Sequence, residues 1–308
     1  MSLLPVTDFR VLAAAAAQLP VVAAVCGRHG LPAPSLDDFR KVGEIIVFRA
    51  DAVVVKLASP RLHPQLAAER AALDTARGRL EVATPTVVAA GELEDWHYLL
   101  MSRLPGRSLA GVWPQLDGAT RRSLAATLGR ALAALHALPI PTLPALASPP
   151  ETLSARLSRL QATVVERQRM RGLPAPWLAE LPHYLAPVDA LLGDPAVLLH
   201  GDATPFNVLV ELAAERPRLS GLIDFGDACL GPREHDLVAP ALYLGAATGA
   251  FLTGLGLTGG DLSRELRRRL LSHALLAEHL DLTRLVAARP TSLAALAEEL
   301  WPSPERNS

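Results

Sequence analysis

Between residues 39 and 101, short runs of aliphatic, β-branched and aromatic residues alternate with turn-forming positions. Runs of this kind are typical of strands. A helix interrupts them, because Leu66, Glu69 and Leu73 recur at helical spacing between the second run and the third. The pattern therefore predicts a small sheet with one helix. The predicted strands are 45–48, 52–57, 86–90 and 96–101, and the predicted helix is 64–77.

The pattern changes after residue 104, where Leu and Ala recur at helical spacing over long stretches. This spacing is typical of amphipathic helices that pack on a core. Short β-prone pieces interrupt the helices, and the Pro-rich stretch 139–150 predicts a surface connection. The predicted helices are 119–138, 153–171, 177–192 and further helices from about 234 to the C-terminus, and the β-prone pieces are 197–199, 208–211 and 219–223.

The first 30 residues contain an Ala-rich, nearly uncharged stretch. We interpret it as a helix capped by Thr7 or Asp8 and broken at Pro20, followed by a second helix. A signal peptide is the less favoured alternative, because Gln18 and Pro20 interrupt the apolar run.

Charge and cysteine content exclude several classes of function. The 30 Lys and Arg residues stand against 31 Asp and Glu residues, without the basic excess of proteins that bind nucleic acid or anionic membranes. Cys26 and Cys229 are too few and too far apart for a disulfide framework or a CxxC metal site. Half of the 308 residues are apolar, so the chain can bury a large core, and the reducing cytoplasm is the expected location.

Two polar motifs follow short apolar strands in the second half of the chain. The first runs from His200 through Asp202 to Asn207, and the second begins at Asp224, before Phe and Gly. Phosphoryl transfer needs a base that orients the acceptor hydroxyl and oxygen ligands that hold a divalent metal. Two carboxylates and an amide, each placed after a strand, are the side chains that this chemistry uses.

The small predicted sheet supplies a cation and a carboxylate. Lys56 is one of only two lysines, against 28 arginines, and it lies within a strand whose other residues are apolar. Glu69 lies thirteen residues further on, in the one predicted helix of this region. A kinase needs such a pair to hold the α- and β-phosphates of its nucleotide. The alternatives are a strand-end lysine that extends into solvent and a glutamate on a solvated helix face.

The order His-x-Asp-x4-Asn followed by Ile-Asp-Phe-Gly-Asp resembles the catalytic and metal-binding loops of the aminoglycoside phosphotransferase family, relatives of the eukaryotic protein kinases. The run that begins at Leu104 is similar to the hygromycin-phosphotransferase-like branch. The resemblance implies an α+β, bilobal protein-kinase-like fold. Residues 1–104 would form a small β-rich nucleotide-binding lobe, and residues 105–308 a larger helical lobe with the catalytic loop and the acceptor site.

The resemblance also implies roles for the motif residues. Asp202 would be the catalytic base, and Asn207 and Asp224 would bind Mg²⁺. His200 would be structural, and Asp236, on a downstream helix, would brace the catalytic loop.

A hinge between the lobes follows from the same resemblance. Backbone groups near Ser102 to Leu104 would contact the purine, and Met101 would precede them. The chain departs from the kinase pattern at Gly43, the single glycine where a glycine-rich loop would cover the phosphates. The residues that cover the phosphates, and the choice between ATP and GTP, are therefore open.

The spacing of the motifs points to a small hydroxyl compound as the acceptor. Only eleven residues separate Asp224 from Asp236, too few for the activation segment on which protein kinases bind a peptide. Gly201 replaces the Arg that pairs with an activation-loop phosphate in protein kinases. The family favours an aminoglycoside, which is polycationic, yet nine acidic residues and eight arginines follow residue 230. Carboxylates that could converge on such a cation are Asp227, Glu234, Asp261, Glu278 and Asp281.

Other functions stay open. A metabolite such as a sugar, choline or homoserine could be the acceptor. A catalytically silent nucleotide-binding relative would be expected to have lost one of the motif residues, and all of them are present. Metal-dependent hydrolysis would proceed without any acceptor.

Overall fold

The computed structural model describes residues 9–41, 45–50, 52–140, 153–192, 196–212, 216–277 and 292–302. These residues form two compact units, and each is made of separate stretches of the chain. The N-terminal part is rich in strands and the C-terminal part is mainly helical, in agreement with the predicted α+β class. The predicted domain boundary after residue 104 stays a prediction. Within the described residues, the first unit comprises 9–114 and 206–228, and the second comprises 115–140, 153–205 and 229–302.

The first unit contains a five-stranded antiparallel sheet with the order β1-β2-β3-β5-β4. Its strands are β1 (Phe39–Lys41), β2 (Ile45–Ala50), β3 (Val53–Ala58), β4 (Val87–Leu93) and β5 (Trp96–Ser102). All four predicted strands are present with small shifts at their ends, and β1 is an addition. Strand β3 is central, and four of its six residues are buried.

Helix α1 (Phe9–Arg28) packs on this sheet without a break at Pro20, so the prediction of two helices is wrong. Proline removes one backbone donor and bends a helix, but it does not end one that tertiary packing holds. Beyond Pro20, the buried residues Val22, Val25 and Cys26 join the core of the sheet.

Helix α2 (His63–Ala76) follows β3 and matches the predicted helix to within one residue at each end. Pro64 fits the first turn, where a missing backbone donor costs little. Gly78, with φ +65°, lies just beyond the helix in the left-handed conformation that favours glycine.

A second, three-stranded sheet belongs to the first unit, and Asp224 follows its last strand. Its order is β6-β8-β9, and both ladders are antiparallel. The strands are β6 (Arg107–Ser108), β8 (Val208–Glu211) and β9 (Arg218–Leu222), and the short helix α3 (Leu109–Val112) follows β6.

The second unit consists of helices and one small ladder. The strands β7 (Val197–Leu199) and β10 (Cys229–Gly231) pair in antiparallel fashion. The helices are α4 (Gly118–His136), α5 (Leu153–Met170), α6 (Ala175–Tyr184), α7 (Val188–Leu192), α8 (Glu234–Leu244), α9 (Thr248–Gly254), α10 (Arg264–Leu276) and α11 (Leu293–Leu300).

The predicted helix 177–192 is wrong in extent, because the chain leaves the helical conformation at Leu185. Pro187 restricts the residue before it to extended conformations, so α6 and α7 are separate helices. Elsewhere the second unit packs closely: a Cβ on Gly254 of α9 would lie 2.1 Å from the carbonyl oxygen of Ala126 on α4.

One stretch among the described residues, Glu234–Gly254, is long and apolar enough to cross a membrane by length and composition. Half of it is buried against other residues. Its apolar character is accounted for by packing in the core of the second unit, where Leu237, Val238, Phe251 and Leu252 are buried.

Candidate functional site

Three charged side chains meet in the first unit, where β3, α2 and the segment after β9 come together. The Nζ of Lys56 donates to both carboxylate oxygens of Glu69, at 2.7 and 2.8 Å, and to Oδ1 of Asp224 at 2.6 Å. Lys56 and Glu69 are buried, whereas the side chain of Asp224 is 44% exposed. Lys56 therefore has one fully enclosed partner and one that solvent or a ligand can reach.

The surrounding elements fix this arrangement. Lys56 lies in the middle of β3, opposite Val47 on one neighbouring strand and Leu99 on the other. Glu69 is on the buried face of α2, which packs against the short 3₁₀ helix Phe225–Asp227. The ion pair between Lys56 and Glu69 therefore forms between the central strand β3 and the helix α2 that faces it.

Burial and neighbouring charges act in opposite directions on the pKa values of this cluster. Burial alone would lower the pKa of Lys56, but the carboxylates of Glu69 and Asp224 outweigh burial and hold its pKa above the ordinary range. Burial raises the pKa of Glu69, and the Lys56 ammonium acts against that rise. A buried charge needs a partner at close range, and each of these two groups provides it for the other.

Asp224 has an uncommon backbone conformation, with φ 64° and ψ 67°. Residues other than glycine rarely occupy this left-handed region, and such positions are concentrated at functional sites. The backbone of Gly226 lies close to the Asp224 carboxylate, because a Cβ on Gly226 would lie 3.5 Å from Oδ1 of Asp224.

Asn207 lies immediately before β8, and Asp224 lies just after β9. The amide of Ile223 donates to the carbonyl oxygen of Asn207 at 2.9 Å, and the neighbouring Val208 pairs with Leu222. Asn207 and Asp224 therefore lie at the same end of the β8–β9 ladder. An amide oxygen and a carboxylate are ligands that hard divalent cations prefer. Among the described residues, no group of three or more His, Cys, Asp or Glu side chains forms a metal site by itself.

The predicted hinge lies at the end of β5. Met101 is buried, and the amide of Ser102 donates to the carbonyl oxygen of Thr86 at 2.8 Å. The next amide, that of Arg103, donates to the carbonyl oxygen of Ala52 at 2.8 Å. Leu104 makes no hydrogen bond to another described residue, and its side chain packs against the backbone of β9.

A second cluster forms in the second unit around Asp236, in the first turn of α8. Its carboxylate accepts from the amides of His200, at 2.8 Å, and Gly201, at 2.9 Å, and it contacts Nε2 of His136 at 2.9 Å. The amide of Asp202 points to Nδ1 of His200 at 3.2 Å. Asp236 therefore fixes the backbone that carries Asp202.

Asp236 is fully buried yet has a lowered pKa. Burial would raise its pKa, but the hydrogen bond and charge of His136, together with His200, outweigh burial. Gly201 has φ +83°, a conformation that a side chain there would strain. This glycine lets the chain turn between two hydrogen bonds to one carboxylate.

His136 was not found from the sequence. It lies in the last turn of α4, and its side chain is only 8% exposed. A signal was present, since a single histidine ends a helix whose other buried positions are Leu, Ala and Gly. A lone histidine on an apolar face does not reveal its partner, which lies 100 residues further along the chain.

A family model described as the phosphotransferase enzyme family (APH) matches residues 46–271. The chain belongs to this family. The match spans most of the chain and includes both clusters, and it confirms the family resemblance read from the motifs.

Solved structures of aminoglycoside phosphotransferases share the fold of this family member. The GDP complex of wild-type aminoglycoside 2'-phosphotransferase-IIIa superposes with a TM-score of 0.64 at 17% identity, over 92% of this chain and 97% of that one. The streptomycin–ATP complex of APH(2")-IIa gives 0.57 at 12% identity, over 91% and 97%. The ADP and streptomycin complex of APH(3'')-Id from Streptomyces rimosus ATCC10970 gives 0.58 at 19% identity, over 84% and 98%. The predicted kinase-like fold is confirmed.

The structure of this phosphotransferase family member groups most predicted site residues. In the first unit it brings Lys56, Glu69 and Asp224 into contact, with Asn207 at the same end of the β8–β9 ladder as Asp224. In the second unit it brings Asp236 to the loop that carries Asp202. Of the carboxylates predicted to converge on a cationic acceptor, Glu278 and Asp281 lie outside the described residues.

Proposed function

We propose that this chain is a small-molecule kinase that transfers the γ-phosphate of ATP or GTP to a hydroxyl group, most readily that of an aminoglycoside-type compound. The observation that carries the proposal is the contact of Lys56 with both Glu69 and Asp224. A salt bridge that only stabilised the fold would not need the second, half-exposed carboxylate. A phosphate-binding lysine does need an exposed side from which a ligand can approach.

The proposed roles follow the chemistry of each group. Lys56 holds the α- and β-phosphate oxygens, and Glu69 keeps its ammonium in place. Asn207 and Asp224 would hold Mg²⁺, which neutralises the charge of the triphosphate when bound. Met101, Ser102 and Leu104 line the purine. Of these residues, Leu104 offers its backbone amide to the purine ring, because the amide of Ser102 is already bonded to the carbonyl oxygen of Thr86.

Asp202 acts as the base in this proposal. Its carboxylate accepts a hydrogen bond from the acceptor hydroxyl and takes the proton as that oxygen bonds to the γ-phosphorus. The bond between the γ-phosphorus and the β,γ-bridging oxygen breaks, and the nucleoside diphosphate leaves. Asp236 and His200 hold the loop so that Asp202 keeps its direction.

Family membership and the structures named above support an aminoglycoside as acceptor, since several of those proteins are solved with kanamycin, streptomycin or gentamicin. An observation favours a second candidate, an uncharged metabolite hydroxyl such as that of a sugar. Glu234 is paired with Arg269 at 3.0 Å, and Asp261 accepts from the amide and hydroxyl of Thr258. These two carboxylates already have partners. We place the reaction in the cytoplasm, in keeping with the two free thiols, Cys26 and Cys229.

Nucleotide turnover tests the proposal. ATP or GTP is supplied with Mg²⁺ and kanamycin, gentamicin, streptomycin, D-glucose, choline or homoserine, and release of the diphosphate is measured with and without each compound. Acceptor-stimulated turnover is expected. Turnover that no compound stimulates would point to hydrolysis, and nucleotide binding without turnover would point to a silent relative.

Variants assign the roles. Asp202→Ala is expected to reduce transfer by about 10³-fold or more while nucleotide binding persists. Asn207→Ala and Asp224→Ala are expected to raise the Mg²⁺ requirement or remove activity. Asp117→Asn, at the exposed N-cap of α4, is the control and keeps normal transfer. Normal transfer by Asp202→Ala would refute its role as base.

A further inference from the structure

Tyr243 is an aromatic residue at the C-terminal end of α8 whose side chain is 43% exposed. Among the residues whose burial is described, Phe206 is the other aromatic with comparable exposure. A tyrosine offers a rigid apolar face and a hydroxyl that can donate and accept hydrogen bonds. Exposed, it is well suited to contact a ligand.

The helical register directs Tyr243 toward the catalytic loop. Asp236 and Tyr243 are seven positions apart on α8, which is two turns, so both lie on the same face. On that face, Asp236 binds the amides of His200 and Gly201. Burial and then the negative charge of Asp202 raise the pKa of Tyr243, in keeping with a phenol on the same side of α8 as the loop that carries Asp202.

An acceptor must occupy the space beside these two side chains. A hydroxyl that Asp202 activates has to come within hydrogen-bond distance of its carboxylate, about 2.6–3.2 Å. The body of the acceptor then lies against the groups that flank Asp202. A tyrosine ring there can pack on the C–H face of a saturated ring, and its hydroxyl can bond to a neighbouring hydroxyl group.

Two carboxylates of the second unit, those of Glu234 and Asp261, already have partners, so the contact with Tyr243 carries more of the acceptor recognition. On α8 itself, Glu234 is paired with Arg269. Asp261 accepts a hydrogen bond from the amide of Thr258, and the hydrogen bonds from Thr258 together with the charge of Arg233 lower the pKa of Asp261. Neither carboxylate needs a cationic ligand as its partner.

We propose that Tyr243 contacts the acceptor and favours one that presents a ring with a C–H face and hydroxyl groups at its edge, as sugars and aminosugars do. This inference rests on the proposed role of Asp202 as the base. It makes Tyr243 a residue that determines acceptor specificity.

Kinetics on the compounds that stimulate turnover tests the contact. Tyr243→Ala is expected to raise the KM for kanamycin or D-glucose about tenfold and to leave the KM for the nucleotide unchanged. Tyr243→Phe keeps the ring and is expected to stay within about threefold of the wild type. Met170→Ala, at a 73% exposed position on α5, is the matched control. A Tyr243→Ala enzyme with an unchanged acceptor KM overturns the inference, as does an enzyme that uses only choline or homoserine.

A measurement that needs no turnover tests the placement. The chain has three tyrosines, so ¹³C-labelled tyrosine gives three ring signals, and Tyr243→Phe identifies the one that belongs to Tyr243. Asp202→Asn is expected to lower the pKa of Tyr243, and adding kanamycin or D-glucose is expected to shift its signal. A pKa of Tyr243 that does not respond to Asp202→Asn overturns the inference even if no tested compound is phosphorylated.

The same variants separate this inference from the proposed function. If Asp202→Asn abolishes transfer while Tyr243→Ala leaves the acceptor KM unchanged, the kinase function stands and the role of Tyr243 fails. If Asp202→Asn transfers phosphate normally, Asp202 is not the base, and the premise of this inference fails while the kinase function stands. If no compound stimulates turnover by the wild-type enzyme, the proposed function fails, whatever the pKa of Tyr243 shows.

Discussion

The two clusters each contain a buried carboxylate, but they satisfy it in different ways. Glu69 in the first unit is held by a charged side chain, Lys56, which also reaches the half-exposed Asp224. Asp236 in the second unit is held by two backbone amides and one histidine. The first is an ion pair between side chains, and the second is a clamp on the main chain.

The difference indicates what each cluster can do. The Lys56 ammonium can exchange its accessible partner, Asp224, for a ligand and still keep its buried partner, Glu69. A carboxylate bonded to consecutive amides fixes φ and ψ of the loop, because either amide would be left unsatisfied if the loop moved. The first cluster is suited to binding a ligand, and the second to holding the side chain of Asp202 in a constant direction.

Of the changes that compare the two clusters, Lys56→Met is expected to have the largest effect on stability. This change leaves Glu69 buried without its cation, and loss of one partner of a buried pair destabilises a protein by about 3–5 kcal/mol. If the Lys56 charge stabilises the transition state, as we propose, its loss should also reduce kcat/KM by about 10²–10³-fold. Chemical denaturation and nucleotide turnover measure the two effects.

The double variant Lys56→Met with Glu69→Met separates stability from activity. A buried pair replaced by apolar residues of similar volume is often neutral for stability. We therefore expect most of the free energy of unfolding to return while activity stays low. Arg218→Met, which breaks an exposed ion pair with Glu211, is the control and should change stability by less than about 1 kcal/mol. Activity that returns with stability would mean that Lys56 is only structural.

The two clusters also differ in how far they could be predicted from the sequence. Lys56 and Glu69 stood out because a rare lysine lay in an apolar strand and the single helix nearby carried a glutamate. Asp236 could be assigned only by family resemblance, since backbone amides are present at nearly every residue and leave no signal in the sequence. His136 could not be found, because the contact that gives it a role spans 100 residues.

A smaller effect is expected for His136→Leu. This change removes one hydrogen bond to a buried carboxylate, so the free energy of unfolding should fall by about 1.5–3 kcal/mol. A loosened loop misdirects Asp202, so kcat should fall about tenfold or more while the KM for nucleotide stays constant. Steady-state kinetics at saturating acceptor measures the split between the two parameters.

His136→Gln is the conservative variant, since its amide can still donate to Asp236. It should recover most of the lost kcat. His29→Leu, which removes a hydrogen bond to Tyr98 in the first unit, is the control and should leave kcat unchanged. If His136→Leu lowers stability but not kcat, the clamp holds the fold and does not direct Asp202.

The element boundaries show where local patterns reach their limit. In the first unit, the positions of β2 to β5 and of α2 follow from periodicity, because each of these elements packs one face on the core. Two prolines have opposite outcomes: α1 continues through Pro20, whereas α6 ends at Tyr184 and Pro187 separates it from α7. Packing decides between them, and packing depends on residues that are distant in sequence.

The smallest expected effect concerns acid pH, where the two units should again differ. Burial lowers the pKa of His273 on α10 to about 3, with the charges of His235 and Arg269 as further causes. The unfolded chain takes up this proton near pH 6.5, and the folded chain does not. The stability that depends on neutral His273 is therefore present above pH 6.5 and is lost as the pH falls toward 3, by about 2 kcal/mol at pH 5. In the first unit, Glu69 has a raised pKa, so its proton uptake favours the folded state.

Thermal unfolding between pH 7 and pH 5 should thus show a fall in Tm that originates in the second unit. His273→Leu removes the titrating group, so its Tm should vary less with pH over this range. His183→Gln, at an exposed position of α6, should keep the wild-type slope. An unchanged slope in His273→Leu would mean that another group of the second unit takes up the proton.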